Sequence, residues 1–228
     1  MEFIDLNNPI FDLIEKNDYK NLYIVLNQKF SLNVKNRFGL YPLEYACKIG
    51  NSHCVKLLLI FGADPNLMNN KDCPLHVSVM HSNLECIKIL LEFGADTTKK
   101  DGYEKYPIYY VKDFESLSIL KEYGADINIY NPLWIFVEQK NIEMVEIYLK
   151  AGAKQNIYQL EHSEWNYPFC KAIMNSSNSI IKLFFKYGVD WSVSYDNKNP
   201  AFHIACNHLS IDMIDFFLNN GVDMSRKI

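Results

Sequence analysis

The chain has 228 residues, 49% of them apolar, and 23 Lys and Arg residues against 27 Asp and Glu residues give it a net charge of −4. This balance argues against general binding to nucleic acid, which normally requires a basic surface. The first residues lack the basic region of a signal peptide, and apolar runs such as 57–61 are too short to span a bilayer. We therefore expect no membrane insertion. The six cysteines form no C-x-x-C pair, which favours a reduced, cytoplasmic protein.

The first predicted elements are two short helices within residues 7–34. Pro9 stands where a helix begins, because proline is favoured at the first helical position. Apolar residues at helical spacing define the buried faces of the two helices: Ile10, Leu13 and Ile14, then Leu22, Val25 and Leu26. Two short helices cannot bury these faces alone, so the sequence should repeat.

The repeat is marked by a proline followed, 20 positions later, by a glycine that ends a second helix. This spacing separates Pro42 from Gly62 and recurs further along the chain, shortened to 17 from Pro107 to Gly124. Such a glycine suits the left-handed end of a helix. Seven repeats result, at about 7–34, 35–68, 69–100, 101–130, 131–158, 159–194 and 195–228.

A period near 33 residues, with Pro74-Leu75-His76 and Gly62-Ala63-Asp64, resembles the ankyrin repeat. The resemblance implies an all-α solenoid of about seven helix–turn–helix units with finger loops, forming a single domain over 1–228. It also implies a structural role for His76 between neighbouring fingers. In this family the finger tips and first helices line a groove that binds proteins, so we expect a protein partner.

Length changes concentrate in repeats four to six. The link at 111–116 is three residues short, the finger at 128–131 is mostly missing, and the finger at 158–167 is long. Length changes in a solenoid collect on loops, often on the binding face. The predicted partner-binding residues are Tyr103, Lys105, Glu138, Gln139, Glu161, Glu164, Trp165, Met174 and Asn175.

No nucleotide-binding or hydrolase motif is present, so we expect no enzyme, no catalytic residue and no cofactor. The best metal alternative is a zinc site of four residues: Cys73, His76, His81 and Cys86. His76 and Cys86 occupy ordinary repeat positions, so we expect no metal. We expect the interior to hold Cys47, Cys54, Cys86 and Cys206, which argues against a His203–Cys206 nucleophile pair.

The expected function is non-catalytic: the protein binds and blocks another protein, and is a monomer when unbound. In one setting it is an immunity protein that neutralises a toxin. In the other it is a pathogen or viral effector that engages or sequesters a host protein in the host cytosol. An effector with its own catalysis is a weaker alternative, because almost no residues remain outside the repeats. The bias towards Asn, Ile and Lys indicates a bacterial or viral source.

Overall fold

Short α-helices joined by tight turns make up the computed structural model, which describes residues 8–69, 71–129, 132–155, 167–190 and 201–221. Within these ranges there is no β-strand, and an isolated bridge joins Asn69 to Asp72. The chain divides into an N-terminal unit, Met1–Ala125, and a C-terminal unit, Asp126–Ile228. The prediction of one continuous domain over 1–228 stays a prediction.

The N-terminal unit holds repeats one to four. Its helices are α1 (Pro9–Glu15), α2 (Tyr19–Asn27), α3 (Pro42–Ile49), α4 (Ser52–Ile60), α5 (Pro74–Met80), α6 (Leu84–Glu92) and α7 (Phe114–Glu122), with a 3₁₀ turn at Pro107–Tyr110 before α7. The first elements of successive repeats pack on one another, and so do the second helices α2, α4, α6 and α7. The unit is therefore a stack of two layers, an inner layer of first elements and an outer layer of second helices.

The C-terminal unit holds repeats five to seven. Its helices are α8 (Pro132–Glu138), α9 (Ile142–Lys150), α10 (Pro168–Met174), α11 (Asn178–Lys186), α12 (Ala201–His208) and α13 (Ile211–Asn219). The inner helices α8, α10 and α12 pack in sequence, α9 packs on α11, and α13 packs on α12. Helices of seven to nine residues are marginal alone, so their stability comes from this packing.

The predicted helix boundaries are confirmed where proline and glycine define them. Proline is the first residue of α1, α3, α5, the 3₁₀ turn, α8 and α10. Gly62 follows the end of α4 with φ +89°, a left-handed conformation that glycine adopts without strain. In repeat one, Lys29 has φ +59° at the equivalent place. The turn is therefore kept even where the glycine is absent.

The buried helix faces predicted for repeat one are confirmed at four of the six positions: Ile10, Ile14, Leu22 and Leu26. Leu13 and Val25, both expected in the core, are only half-buried, whereas Phe11 is buried. The Phe11 ring packs edge-on against Tyr45 of α3, with centroids 6.0 Å apart. Phe11 thus joins the buried face of α1 through an aromatic contact with the next repeat.

Cys206 was predicted to be buried, and this is wrong because it is exposed. It stands five residues after Ala201, as Cys47 does after Pro42, and Cys47 is buried in the inner helix α3, which packs on the inner helix α5 of the next repeat. The position thus faces the following repeat. Because α12 is the last inner helix described, no described repeat covers Cys206.

Asparagine side chains connect successive repeats in the N-terminal unit. Asn51 donates to the carbonyl of Ile14, and Asn83 donates to that of Cys47 over 2.7 Å. Both acceptors lie at the end of an inner helix, where carbonyls lack helical partners. Side-chain amides therefore complete the hydrogen bonding of one repeat from the next.

The shortened link of repeat four replaces the inner helix by a 3₁₀ turn of four residues. Val111 follows in an extended conformation, and Asp113 then caps α7 by accepting from the Ser116 N–H at 2.7 Å. Asp113 also accepts from the Ser82 hydroxyl of repeat three at 2.6 Å. The deletion thus shortens the inner layer and leaves the outer layer intact.

Candidate functional site

The finger of repeat four is organised around Asp101, a carboxylate that is only 3% exposed. Its Oδ1 atom accepts from the backbone N–H groups of Tyr103 at 2.7 Å and Lys105 at 2.9 Å, and its Oδ2 atom accepts from the Tyr110 hydroxyl. Burial favours a raised pKa, but these hydrogen bonds outweigh it and hold the pKa of Asp101 below its usual value. The ionised carboxylate therefore fixes the finger backbone.

The finger of repeat two uses the same arrangement with an amide. Asn36 Oδ1 accepts from the N–H groups of Phe38 and Leu40, each at 3.0 Å. Each finger consequently holds an aromatic ring out in solvent at the same position, with Phe38 63% exposed and Tyr103 58% exposed. Large exposed rings on fixed loops are typical of binding surfaces.

Lysines from the fingers lie against these and neighbouring rings. Lys71 Nζ donates to the Tyr103 hydroxyl at 3.0 Å and lies 5.2 Å from the ring centroid. The hydrogen bond with Tyr103 raises the pKa of Lys71, so its positive charge persists. Lys105 Nζ lies 5.9 Å from the Tyr110 centroid. The fingers of repeats three and four thus present a mixed basic and aromatic edge.

A second polar cluster lies on the inner helices of the C-terminal unit. Glu138 of α8 forms an ion pair with Lys171 of α10 at 2.7 Å and accepts a hydrogen bond from Asn175. The hydrogen bond from Lys171 lowers the pKa of Glu138. Lys171 Nζ also lies 5.5 Å from the Trp134 ring centroid. Gln139, which follows Glu138 in the sequence, is exposed, and Met174, which precedes Asn175, is half-buried.

The predicted site residues fall into three sets. Tyr103 and Lys105 lie together in one finger of the N-terminal unit. The structure joins Glu138 to Asn175 in the C-terminal unit, where Gln139 and Met174 also lie. The remaining three lie outside the described residues: Glu161, Glu164 and Trp165.

Sequence reasoning missed Lys71 and Lys171 as members of these surfaces. Lys71 precedes Tyr103 by 32 positions, and Lys171 follows Glu138 by 33, close to one repeat period in each case. Residues one period apart in a stacked solenoid lie side by side. Complementary side chains at that separation were therefore the signal available in the sequence.

His76 has the structural role that the resemblance implied. Its ring is fully buried, its Nε2 atom lies 3.1 Å from the Lys105 carbonyl in the next finger, and the ring meets Tyr110 edge-on. Burial lowers the pKa of His76, which favours the neutral imidazole. The residue thus ties the finger of repeat four to α5.

The residues considered for zinc have other surroundings. His81 Nδ1 lies 2.9 Å from the Val77 carbonyl of its own helix, and burial raises the pKa values of Cys73 and Cys86 to about 11. Across the described ranges no group of three or more His, Cys, Asp or Glu residues is placed to hold a metal ion. No helix in the same ranges combines the length and apolar character needed to cross a membrane.

Stacked pairs of short helices with intervening finger loops define a helical repeat protein. The family model for ankyrin repeats (three copies) matches residues 11–101 and 133–228. The chain therefore belongs to the ankyrin repeat family, and its fold is the all-α ankyrin-repeat solenoid. This fold is generally a non-catalytic scaffold, and its presence indicates a protein–protein interaction module.

Relatives that are similar in sequence to this chain occur in a virus and in humans. Two ankyrin repeat proteins of Acanthamoeba polyphaga mimivirus are 25% identical over 223 residues, covering 95% of this chain and 24% of the relative, and 30% identical over 127 residues, covering 52% and 38%. The human transient receptor potential cation channel subfamily A member 1 is 26% identical over 203 residues, covering 85% and 16%. The chain thus spans well under half the length of each of these relatives.

Among solved structures, the ankyrin repeat domain of human ASB11 superimposes with a TM-score of 0.66 at 21% identity. The alignment covers 96% of this chain and all of that domain. At this identity the likeness supports the fold alone.

Proposed function

We propose that this protein binds a protein partner through repeats four to six and acts by blocking the partner's surface. The observation that carries the proposal is Tyr103, an exposed ring on a finger whose backbone is fixed by Asp101. Aromatic anchors dominate the energy of many interfaces, and a loop already held in place loses little conformational entropy on binding.

The inner helices of the C-terminal unit carry a second and more polar candidate contact of their own. Glu138, Lys171 and Asn175 form a connected cluster beside Trp134, with partly exposed charges. Charges at the rim of an interface mainly affect association rate and salt dependence. Glu161, Glu164 and Trp165 belong to the same proposal on sequence grounds.

The two mimivirus relatives favour a viral setting, in which the protein sequesters a host factor in the host cytosol. The alternative is an immunity protein that neutralises a toxin encoded nearby. In both cases the protein acts as a monomer without a cofactor. Co-expression with the products of adjacent genes separates the two settings. If one of these products is toxic and this protein restores growth, the result supports the immunity role and argues against the binding of a host factor as its function.

The binding surface is tested by comparing two tyrosines of the N-terminal unit. Tyr103 lies on the finger, whereas Tyr123 is 41% exposed at the end of the outer helix α7. A partner captured from the host or source cell is purified and titrated by calorimetry against each variant. We expect Tyr103→Ala to weaken binding at least tenfold, about 1.4 kcal/mol, and Tyr123→Ala to leave it within twofold.

Loss of binding by both variants to the same extent would contradict this surface, as would unchanged binding by Tyr103→Ala. Circular dichroism and thermal melting of each variant establish that the repeats remain folded. Tyr123→Ala removes a different tyrosine ring from the same N-terminal unit, so it controls for the general effect of losing a surface tyrosine.

A further inference from the structure

We infer that the finger edge formed by Lys71, Tyr103 and Lys105 recognises carboxylates in an acidic segment of a protein partner. This inference rests on the proposed function and adds the chemistry of the partner. It concerns the fingers of repeats three and four, which both lie in the N-terminal unit.

The hydrogen bond between Lys71 and Tyr103 leaves both groups able to donate further. Lys71 Nζ donates to the tyrosine oxygen at 3.0 Å, so the hydroxyl hydrogen of Tyr103 remains available to an external acceptor. The ammonium group also has further N–H donors. Both side chains are exposed, so a partner carboxylate can accept from an ammonium and a hydroxyl at once, and charge-assisted bonds of this kind are strong.

The donors stand on two fingers that are connected through the backbone. The N–H of Gly102 donates to the carbonyl of Lys71 at 2.6 Å, which joins the finger of repeat four to that of repeat three. Asp101 holds the N–H groups of Tyr103 and Lys105 on the other side of the same loop. The spacing of the backbone positions that carry the two donors is therefore largely set before a partner binds, which lowers the entropic cost of recognition.

The charge of the fingers differs from that of the whole chain. Segments 35–41, 69–73 and 99–106 carry six basic residues and three acidic ones, a net charge of 6 − 3 = +3, in a chain whose net charge is −4. The carboxylate of Asp101 points inward to its hydrogen-bond donors, which leaves Asp72 and Glu104 as the opposing charges. An acidic segment is thus attracted to the fingers and repelled by the rest of the protein.

The same edge is poorly suited to a nucleic acid. Glu104 has a side chain 79% exposed at the tip of the finger and forms an ion pair with Lys100 at 2.9 Å. A phosphate backbone holds its charges on the chain itself and would meet this carboxylate as well as the lysines, whereas the flexible carboxylate side chains of an acidic peptide can turn away from it. We therefore favour a protein partner over single-stranded DNA or RNA.

The test uses rhodamine-labelled octaglutamate as the probe, with fluorescence anisotropy in 50 mM salt, where electrostatic binding is strong. We expect Lys71→Gln to weaken octaglutamate binding at least fivefold and Tyr103→Phe, which removes only the hydroxyl, at least twofold. Lys88→Gln is the matched control, because it removes the same charge from an exposed position of the outer helix α6. Its effect should stay below twofold.

Three results with these probes would overturn the inference: no binding of octaglutamate to the wild type, equal losses for Lys71→Gln and Lys88→Gln, or tighter binding of a 16-nucleotide oligothymidylate that Lys71→Gln abolishes. The last would assign the edge to nucleic acid. These results are separate from the proposed function, which is tested by comparing Tyr103→Ala with Tyr123→Ala in binding to a protein partner. A partner that binds through Tyr103 but is insensitive to Lys71→Gln would retain the function and remove the acidic recognition.

Discussion

The third residue of an inner helix connects two fingers through a single side chain, and the chemistry of that side chain differs from repeat to repeat. In repeat three this position is His76, which contacts the Lys105 carbonyl. In repeat two it is Glu44, only 4% exposed, which accepts from the Tyr41 N–H at 3.3 Å and from the Asn69 amide at 2.8 Å. Burial raises the pKa of Glu44 to about 7, although both hydrogen bonds favour the ionised form.

This shift predicts that Glu44 makes the protein less stable as the pH rises. The folded state binds the proton more tightly than the unfolded state, so the contribution of Glu44 is fully present below the unfolded pKa of 4.5 and is lost as the pH rises through about 7. We expect the free energy of unfolding of the wild type, relative to Glu44→Gln, to fall between pH 4.5 and pH 8 by up to about 3 kcal/mol. Urea unfolding at each pH measures this difference.

His76 acts in the opposite direction, because its lowered pKa costs stability as the pH falls below the unfolded value of 6.5. Both proteins retain His76, so the comparison between wild type and Glu44→Gln cancels its contribution. A constant stability difference across this range would show that Glu44 does not hold its proton in the folded state.

At the scale of the element, the turn between the two helices of a repeat has a regular form. One residue adopts a left-handed conformation, and an Asp, Asn or Ser residue follows it at the start of the outer helix. The left-handed residue is Gly50 in repeat two, with φ +80°, and a non-glycine residue in four other repeats: Asn17, Ser82, Lys140 and Ser176, with φ between +50° and +54°. Side chains at such angles are strained, so the surrounding stack imposes the turn.

Gly50 has a further constraint that Gly62 lacks. A Cβ atom on Gly50 would lie 2.8 Å from Asn83 Oδ1, and the Asn83 amide bonds the carbonyl of Cys47 at 2.7 Å. A Cβ atom on Gly62 would have no heavy atom within 4 Å. Both substitutions carry the backbone strain of a positive φ, but only one disturbs the bond between repeats.

We therefore expect Gly50→Ala to destabilise the protein more than Gly62→Ala, by about 1 kcal/mol, the typical net contribution of a hydrogen bond. Thermal or urea unfolding of the two variants measures the difference. Adding Asn83→Ala to each variant checks the cause, because the excess cost at Gly50 should then disappear. Equal costs in the presence of Asn83 would show that its side chain moves aside freely.

The sequence predicted these elements where the signal is local. Pro42 and Gly62 define helix limits through their own backbone preferences, and both predictions are confirmed. The 3₁₀ turn at Pro107–Tyr110 was visible only as a short link, because its geometry depends on how repeats three and four stack. The burial of Cys206 was wrong for a related reason, since burial at that position requires a following repeat.

At the scale of the whole molecule, the binding surface was predicted from departures from a regular repeat, and two of these departures fall within the described residues. Repeat four loses its inner helix, and α8 begins six residues after Asp126, which leaves little room for a finger in repeat five. Lys71–Tyr103 and Glu138–Lys171 were not found from the sequence, because each pair joins residues one repeat apart. Pairing across repeats becomes visible only when the period is used to align the chain with itself.

The long segment of repeat six carries the last prediction, since it contains Trp165 and Glu161 beyond the described residues. If this segment contributes an aromatic anchor, Trp165→Ala should weaken the partner complex at least tenfold, whereas Glu161→Ala, which removes a rim charge, should change the association rate more than the affinity. Surface plasmon resonance with the purified partner separates the two effects, and circular dichroism checks folding. Normal binding by Trp165→Ala, together with loss of binding on changing the exposed Lys48 or His81, would move the contact to repeats two and three.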